Sequence, residues 1–175
     1  EGQITAINKS QAVIEFDLEG NILNANENFL AAMGYSLSEI KGQHHSMFVD
    51  PSYKLSAEYA AFWQSLKAGE HSEGEYKRIA KGGREIWIRA SYNPIFDSSG
   101  KPFKVVKFAT DVTQDKLKNA YFEGQINAIS KSQAVIEFDV DGTIITANDN
   151  FLNTMGYRLD EIKGKHHQLF VDEET

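Results

Sequence analysis

The sequence predicts an α+β fold in which a five-stranded antiparallel sheet carries short helices on one face. The first observation is a change in the spacing of apolar residues along the chain. Apolar side chains recur at helical spacing between residues 26 and 69, and then alternate with polar ones for about forty residues, as in strands. The second observation is a repeat, because residues 1–50 match residues 123–172 at an offset of 122, with 35 of 50 positions identical. The chain therefore contains one complete unit and the first part of another.

The repeat predicts the domain organisation. We expect a complete domain with the end of an N-terminal helix at 1–113, a helical linker at 114–132, and the first half of a second domain at 133–175. The sequence ends before second copies of the last three strands. We therefore expect residues 134–172 to pack against another chain of a homodimer, and exchange with residues 12–50 is one way to do so.

Composition narrows the class of protein. The formal net charge of −7 argues against a nucleic-acid or anionic membrane partner, which requires clustered lysine and arginine. The absence of cysteine excludes disulfides, thiolate metal ligands and cysteine nucleophiles. No apolar run approaches the roughly 18 residues of a membrane span. We expect a cytoplasmic segment without direct membrane contact, although the parent protein can be membrane-anchored.

The first half of the unit shows hairpin and helix signals. Residues 12–17 and 22–25 predict two strands around the turn Leu18-Glu19-Gly20-Asn21. Asn26 is suited to cap a helix that Gly34 ends. A longer helix is expected at 55–66, where Tyr59, Phe62, Trp63 and Leu66 share one face.

The second half of the unit predicts three strands followed by a helix. Lys81-Gly82-Gly83-Arg84 predicts a hairpin with a two-residue turn, and Asp97-Ser98-Ser99-Gly100 predicts the next turn. A helix from Thr113 to about Ser132 then leads into the second copy. This helix is the natural route for a mechanical signal between the units.

Several motifs in this order resemble the PAS sensor family. They are N-x-x-F at Asn26 and Phe29, Gly34-Tyr35, EIKG at 39–42, Lys81-Gly82-Gly83 and Asp111-Val112-Thr113. GYSLSEIKGQHHSMFVDPSY, AFWQSLKAGE and EIWIRASYNPI are similar to the PAS units found in tandem in bacterial methyl-accepting chemotaxis proteins. The resemblance implies an input module that binds a small ligand or cofactor between sheet and helices and passes the change to a C-terminal helix.

Three departures from the family pattern disfavour a flavin cofactor. His45 stands where blue-light flavin PAS domains carry their reactive cysteine, and Arg78 stands where flavin-binding PAS domains usually carry asparagine. His71 follows Gly69-Glu70 where the aerotaxis receptors have tryptophan. Flavin is therefore less favoured than the family alone implies.

Haem requires an axial ligand, usually histidine. The helix predicted at 55–66 contains none, and Val49 occupies the position of the ligand in another group of haem PAS sensors. His44 and His45 remain, and at most one faces the pocket because neighbours on a helical turn point about 100° apart. Haem on His45, a colourless ligand and no cofactor all stay open. Alternatively, one histidine stabilises the turn and the other is solvated.

Alternation along the strands places Tyr76, Arg78, Ile88, Ala90 and Tyr92 on the pocket face. A buried Arg78 requires a partner, either a ligand carboxylate, a haem propionate or an internal glutamate. The candidate ligand-binding residues are His44, His45, Trp63, Tyr76, Arg78, Ile88 and Tyr92.

Two tryptophans and one lysine need separate interpretations. Trp63 is alternatively a core residue. Trp87 is expected on the opposite face of the sheet, packed against an N-terminal helix or another subunit. Lys107 alternates onto the pocket side, for which the pattern offers no physical reason.

No catalytic or metal-binding constellation is present in the sequence, so we expect a non-enzyme. The leading hypothesis is the signal-input domain of a bacterial chemotaxis transducer. One alternative is a dimerisation module whose pocket is filled by its own side chains. Another is the input domain of a histidine kinase or a cyclic-dinucleotide enzyme.

Overall fold

The computed structural model describes residues 5–6 and 9–171. The chain divides into two compact units, Glu1–Lys116 and Leu117–Thr175. The helix predicted at residues 1–10 lies largely outside the described residues, among which 5, 6, 9 and 10 are helical.

The first unit contains the five-stranded antiparallel sheet that the sequence predicts. Its strand order is β2-β1-β5-β4-β3. The strands are β1 (Ala12–Phe16), β2 (Ile22–Ala25), β3 (Ser72–Ile79), β4 (Glu85–Phe96) and β5 (Pro102–Asp111). The helices between β2 and β3 are α1 (Glu27–Met33), α2 (Leu37–Ile40), the 3-10 helix His45–Phe48, α3 (Pro51–Lys54) and α4 (Ala57–Lys67). The α+β fold class is confirmed.

Local hydrogen bonds set the helix ends. The Asn26 side chain accepts from the backbone N–H groups of Phe29 and Val13 at 3.0 and 2.9 Å, so it caps α1 and ties it to β1. Gly34 ends α1 in the left-handed region, with φ of 75°.

The helix predicted at 55–66 is wrong at its start. Asp50 caps a separate helix, α3, and Ser56 caps α4 by accepting from Tyr59 N–H at 3.1 Å. Leu55 lies between the two helices and is 86% exposed. The apolar pattern alone did not reveal the serine cap.

The hairpin between β3 and β4 is longer than the predicted two-residue turn. Ala80 N–H donates to the Arg84 carbonyl at 2.8 Å, which closes a loop around the 3-10 turn Lys81–Gly83. Gly82 and Gly83 both have φ above 80°, a region that favours glycine.

The core lies between the sheet and the helices packed on one face. Its most buried members come from both sides and include Ile14, Phe16, Phe29, Met33, Ile40, Phe48, Leu66, Ile86, Tyr92 and Val105. On β4, alternate residues from Ile86 to Tyr92 are buried, as predicted. The sheet therefore presents one face to the interior.

Helix α5 (Thr113–Ser132) follows β5 and runs over the range that the sequence predicts. The second unit then repeats the first half of the fold. It contains β6 (Ile136–Phe138), β7 (Ile144–Ala147), α6 (Asp149–Met155), α7 (Leu159–Ile162) and the 3-10 helix His167–Phe170. None of the helices in the described part of the chain is long and apolar enough to cross a bilayer.

Candidate functional site in the first unit

His45 lies at the centre of the interior. It begins the 3-10 helix His45–Phe48, and its backbone N–H donates to the Gly20 carbonyl at 2.8 Å. The side chain is fully buried. Its Nδ1 lies 2.8 Å from the Tyr59 hydroxyl, and its Nε2 lies 3.1 Å from the Tyr92 hydroxyl. The ring therefore joins α4 to β4.

A neutral imidazole satisfies both contacts, because it has one N–H donor and one acceptor nitrogen. Burial lowers the pKa of His45 well below its usual value, and the charges of Arg78 and Lys107 lower it further. His45 is therefore neutral at physiological pH. The alternative that one histidine is solvated is wrong for this side chain.

Arg78 extends this contact to β3. Its Nη2 donates to the Tyr92 hydroxyl at 2.9 Å and its Nη1 to the Lys77 carbonyl at 2.9 Å. Its Nε is buried without a partner among the described residues. Of the alternatives for its partner, the internal glutamate is not the one found: a tyrosine hydroxyl and a backbone carbonyl accept from Arg78. We call the chain Tyr59–His45–Tyr92–Arg78 the interior network.

Lys107 lies on the pocket side of β5, as alternation predicts, and is 1% exposed. Its Nζ lies 4.9 Å from the centroid of the Tyr92 ring and 5.8 Å from that of Phe29, which are cation–π distances. Burial lowers the pKa of Lys107 well below its usual value, and the charge of Arg78 adds to this.

Aromatic rings surround the interior network. The rings of Phe16 and Trp63 each lie 5.3 Å from that of His45. Phe62 meets Tyr92 edge-on at 4.9 Å, and Tyr76 meets it at 5.5 Å. Trp63 is 8% exposed and Ile88 is 5% exposed, whereas Tyr76 is only partly buried. These predicted site residues are thus brought together.

His44 lies outside this group. Its Nδ1 accepts from the Ser46 backbone N–H at 3.0 Å, and its Nε2 therefore donates to the Glu19 carbonyl at 2.8 Å. A Cβ on Gly20 would lie 2.7 Å from this Nε2, so glycine is required at that turn. His44 holds the β1–β2 turn against the 3-10 helix.

The other face of β3 and β4 holds the first turn of α5. The Trp87 backbone N–H donates to Thr113 Oγ1 at 2.9 Å, and Lys116 Nζ lies 4.5 Å from the centroid of the Trp87 ring. Glu75 contacts Lys116 at 2.7 Å and Arg89 at 3.0 Å. Trp87 thus lies opposite the pocket, as predicted.

A groove of about 280 Å³ reaches Arg78 from the surface. Its lining residues come from the edge strand β3 and the elements beside it: Asp50, Tyr53, Glu75, Tyr76, Lys77, Arg78 and Trp87. Because β3 is the last strand of the sheet, the guanidinium lies close to an open edge.

The residues present do not fit haem ligation by His45. An axial ligand needs one ring nitrogen directed at iron, but here both nitrogens face tyrosine hydroxyls and several aromatic rings enclose the imidazole. No cluster of three metal-ligating side chains occurs within the described ranges, 5–6 and 9–171.

Tyr59 is the member of the interior network that the sequence did not single out. Its position on the apolar face of the helix was visible, but its hydrogen bond to His45 depends on tertiary packing. Burial raises the pKa of Tyr59 to about 12, so its hydroxyl stays protonated.

The comparisons with known proteins agree with this fold. A family model described as the PAS fold matches residues 22–109, and one described as the PAS domain matches residues 132–175. A solved PAS domain from Colwellia psychrerythraea is 22% identical, with a TM-score of 0.56, and the alignment covers 65% of this chain and 96% of that one.

Two curated proteins are similar in sequence. The biofilm dispersion protein BdlA of Pseudomonas aeruginosa is 43% identical over 97% of this chain and 40% of its own length. The aerotaxis receptor of Escherichia coli is 34% identical over 58% of this chain and 20% of its own length. This chain thus spans less than half of either relative. Together, the matched family models, the strand order and the repeat establish that the chain belongs to the PAS family of sensory domains.

Proposed function

We propose that this chain is the signal-input part of a cytoplasmic bacterial chemotaxis transducer and has no catalytic activity of its own. Its first PAS domain, residues 1–113, senses a small ligand in the interior. Residues 114–132 relay the change, and residues 133–175 begin the second PAS domain. Similarity to an aerotaxis receptor supports the chemotaxis assignment.

The position of two strands between the interior and the exit helix carries this proposal. On the inner side of β3 and β4, Arg78 and Tyr92 belong to the interior network. On the outer side of the same strands, Glu75 and Trp87 contact Lys116 in the first turn of α5. A ligand that separates Arg78 from Tyr92 changes the spacing of β3 and β4, and α5 is attached to both strands.

The relay can be tested without knowing the ligand. Tyr92→Phe removes the hydroxyl that joins Arg78 to His45 but keeps the ring. We expect it to change hydrogen exchange of the amides at residues 113–116 of the full chain. In a Glu75→Gln background this effect should become smaller, because the contacts from β3 to Lys116 and Arg89 are lost while the contacts of Trp87 with Thr113 and Lys116 remain.

Glu73→Gln is the matched control, since Glu73 lies on the same exposed side of β3 and the same charge is removed. The Tyr92→Phe effect should persist in that background. If Tyr92→Phe alters exchange around His45 but leaves α5 unchanged in every background, there is no relay through these strands.

Ligand occupancy is tested on the freshly purified full chain. An absorption spectrum separates haem, with its Soret band, from flavin and from colourless ligands. Native mass spectrometry then reports any bound small molecule directly. Recovery of an empty protein that no small molecule stabilises would contradict the ligand-sensing part of the proposal.

A second candidate is an interaction module that needs no ligand. Its support is that His45, Tyr59, Tyr92 and Arg78 occupy the interior and hydrogen-bond to one another. In that case Tyr92→Phe would leave oligomer formation intact and no ligand would bind.

We also propose that the chain forms a homodimer. Leu117, Tyr121, Phe122, Ile126 and Ile129 expose 48 to 63% of their surface along α5. Analytical ultracentrifugation of Ile126→Lys against Lys118→Met tests this: the first should weaken the dimer and the second should not. Dimers that form equally well in both variants would place the interface elsewhere.

A further inference from the structure

The charged side chains in the interior of the first unit are all basic. Among the described residues, the buried polar and charged side chains are His45, Arg78 and Lys107, and no carboxylate is among them. Moving an unpaired cation out of water is unfavourable unless an anion or hydrogen-bond acceptors replace the water. The interior is therefore short of negative charge.

The tyrosines of this region do not supply the missing charge. Burial raises the pKa of Tyr59 to about 12 and also raises the pKa of Tyr92, although Arg78 opposes the second shift. Both hydroxyls are therefore neutral at physiological pH. Two carboxylates, Asp50 and Glu75, line the groove that reaches Arg78, but both already face cations. Asp50 lies 4.0 Å from Lys77 Nζ, and Glu75 pairs with Lys116 and Arg89.

Arg78 still has an unused donor. Two of its nitrogens donate to Tyr92 and to the Lys77 carbonyl, but Nε is buried and unpartnered among the described residues. A guanidinium holds a carboxylate best through two parallel N–H donors, and Nε with one Nη forms such a pair. An occupant with a carboxylate would satisfy this donor.

Lys107 provides a second basic group across the Tyr92 side chain. Arg78 meets the hydroxyl end of Tyr92, and Lys107 Nζ lies 4.9 Å from the centroid of its ring. The titratable groups facing Lys107 from the elements packed against it are Tyr92 of β4, Arg78 of β3 and His45 of the 3-10 helix. None of these groups carries negative charge.

The size of the occupant follows from the packing. The groove that reaches Arg78 has a volume of about 280 Å³, near the lower end of small-molecule sites. Farther in, Phe62, Tyr76 and Tyr92 have ring centroids 4.9 to 6.3 Å apart. Rings at these distances are in contact with one another, so a wide planar group has no room between them. The occupant must therefore be a small one that meets Arg78 from the groove.

We propose that the interior of the first PAS domain binds a small aliphatic carboxylate, held by Arg78 with Lys107 as the second cation. This inference rests on the proposed sensory function and names the class of ligand. When the carboxylate enters, Lys107 takes up a proton from solvent and becomes its counter-ion. Binding therefore becomes tighter as the pH falls from alkaline to neutral values.

The test is isothermal titration calorimetry of the full chain with sodium acetate and sodium succinate, at constant ionic strength. Running it in two buffers of different ionisation enthalpy measures proton uptake. We expect binding of at least one probe to the wild-type protein with uptake of up to one proton. Arg78→Gln should weaken it at least about tenfold because a charge-assisted hydrogen bond is lost.

Lys107→Met is the decisive variant. It replaces a buried amine with an apolar side chain of similar length, so the ligand-free protein should melt no lower than wild type. It should bind the probe more weakly and without proton uptake. Lys104→Met is the matched control, because Lys104 lies on the opposite face of β5, paired with Glu15. This control should keep both affinity and proton uptake.

The outcomes separate this inference from the function on which it rests. If neither acetate nor succinate binds, or if Lys107→Met binds with the same affinity and proton uptake, the carboxylate site is refuted. The relay between Tyr92 and α5 is measured without any ligand, so it can stand when the carboxylate fails. A neutral molecule found by native mass spectrometry in the interior would also refute the carboxylate and support the sensor.

Discussion

Residues 12–49 and residues 134–171 share most of their sequence and the same local structure, but their side chains are buried very differently. Asn26 and Asn148 cap equivalent helices, with donor distances of 3.0 and 2.9 Å from Phe29 and Phe151. Gly34 and Gly156 end them with φ of 75° and 76°. Turn and cap geometry is therefore set by short-range hydrogen bonds.

Burial depends on the rest of the domain. Phe16 and Met33 are 0% and 3% exposed, whereas the equivalent Phe138 and Met155 are 38% and 41% exposed. His45 is fully buried, but His167 is exposed. The second copy has no counterparts of β3, β4 and β5 in this sequence, and these strands cover the first copy.

Two positions remain buried in both copies. Ile22 and Ile144 are each 1% exposed, and Ile40 and Ile162 are each 0% exposed. In each copy one of these residues lies on a strand and the other on the short helix that contacts that strand. Each half of the fold thus has a small core of its own, to which the three-stranded part adds the larger buried interior around His45.

The largest difference is expected between Phe16→Ala and Phe138→Ala. The first should cost about 3–5 kcal/mol because it opens a cavity against His45 and Trp63. The second should cost less than about 1 kcal/mol, since the ring already contacts solvent. Both tryptophans, Trp63 and Trp87, lie in the first unit, so their fluorescence in increasing urea reports the unfolding of that unit.

The stability of the second unit is measured by hydrogen exchange of the Ile144 amide, which donates to the Lys165 carbonyl at 2.8 Å. A loss of several kcal/mol from Phe138→Ala would mean that this face is covered in solution. Residues 134–172 would then pack against another chain, as the sequence predicts.

The two histidines should differ in how they affect the pH dependence of stability. His45 has a lowered pKa in the folded state, so below its usual value of about 6.5 the unfolded chain binds a proton that the folded protein does not. Stability therefore falls as the pH is lowered from about 7 to about 5, by up to about 1.4 kcal/mol per unit from this group.

His45→Gln should reduce this slope, measured by urea unfolding at several pH values. Lys107, whose pKa is also lowered, contributes a slope of the same sign in the pH range between its folded-state pKa and its usual value of about 10.4. The equivalent exposed variant, His167→Gln, should keep the wild-type slope, since His45 is still present. Equal slopes in all three proteins would show that His45 is protonated in the folded state.

The same contrast explains what the sequence could predict. Helix caps, the glycine turns and the strand alternation of β4 depend on neighbours in sequence, so they were predictable. The start of α4 was not predictable from the apolar pattern, because that pattern includes Leu55 whereas the helix begins after its cap, Ser56. The partners of Arg78 and His45 come from β4 and α4, and no spacing rule connects residues so far apart. Lys107 was placed on the correct face, but its environment emerged only from packing.

Equal effects are expected where both copies rely on local contacts. Asn26→Ala and Asn148→Ala each remove an acceptor for two backbone N–H groups, from Val13 and Phe29 in one copy and their equivalents in the other. Each should cost about 1–2 kcal/mol within its own unit. Hydrogen exchange of the Phe29 and Phe151 amides measures the two effects separately. A much smaller effect at Asn148 would show that α6 is frayed in solution.

The smallest effect concerns a contact that only the first copy makes. The hydrogen bond from Lys81 and those from Ser36 lower the pKa of Glu39 to about 2. Glu161 likewise accepts from the Arg158 backbone N–H at 2.8 Å, but the chain has no second copy of Lys81. Because the pKa of Glu39 is lowered by folding, its contribution to stability is present above about pH 4.3 and is lost as the pH falls towards 2.

Lys81→Met should raise the Glu39 midpoint in a carbon-detected NMR titration. The midpoint should stay below about 4.3, since the Ser36 N–H still donates to the carboxylate at 2.8 Å. Lys101→Met, in the exposed loop between β4 and β5, removes the same charge and should leave the midpoint near 2. If both variants shift it equally, the low pKa of Glu39 reflects overall charge rather than contact with the β3–β4 hairpin. The distinction between the two copies at this position would then be lost.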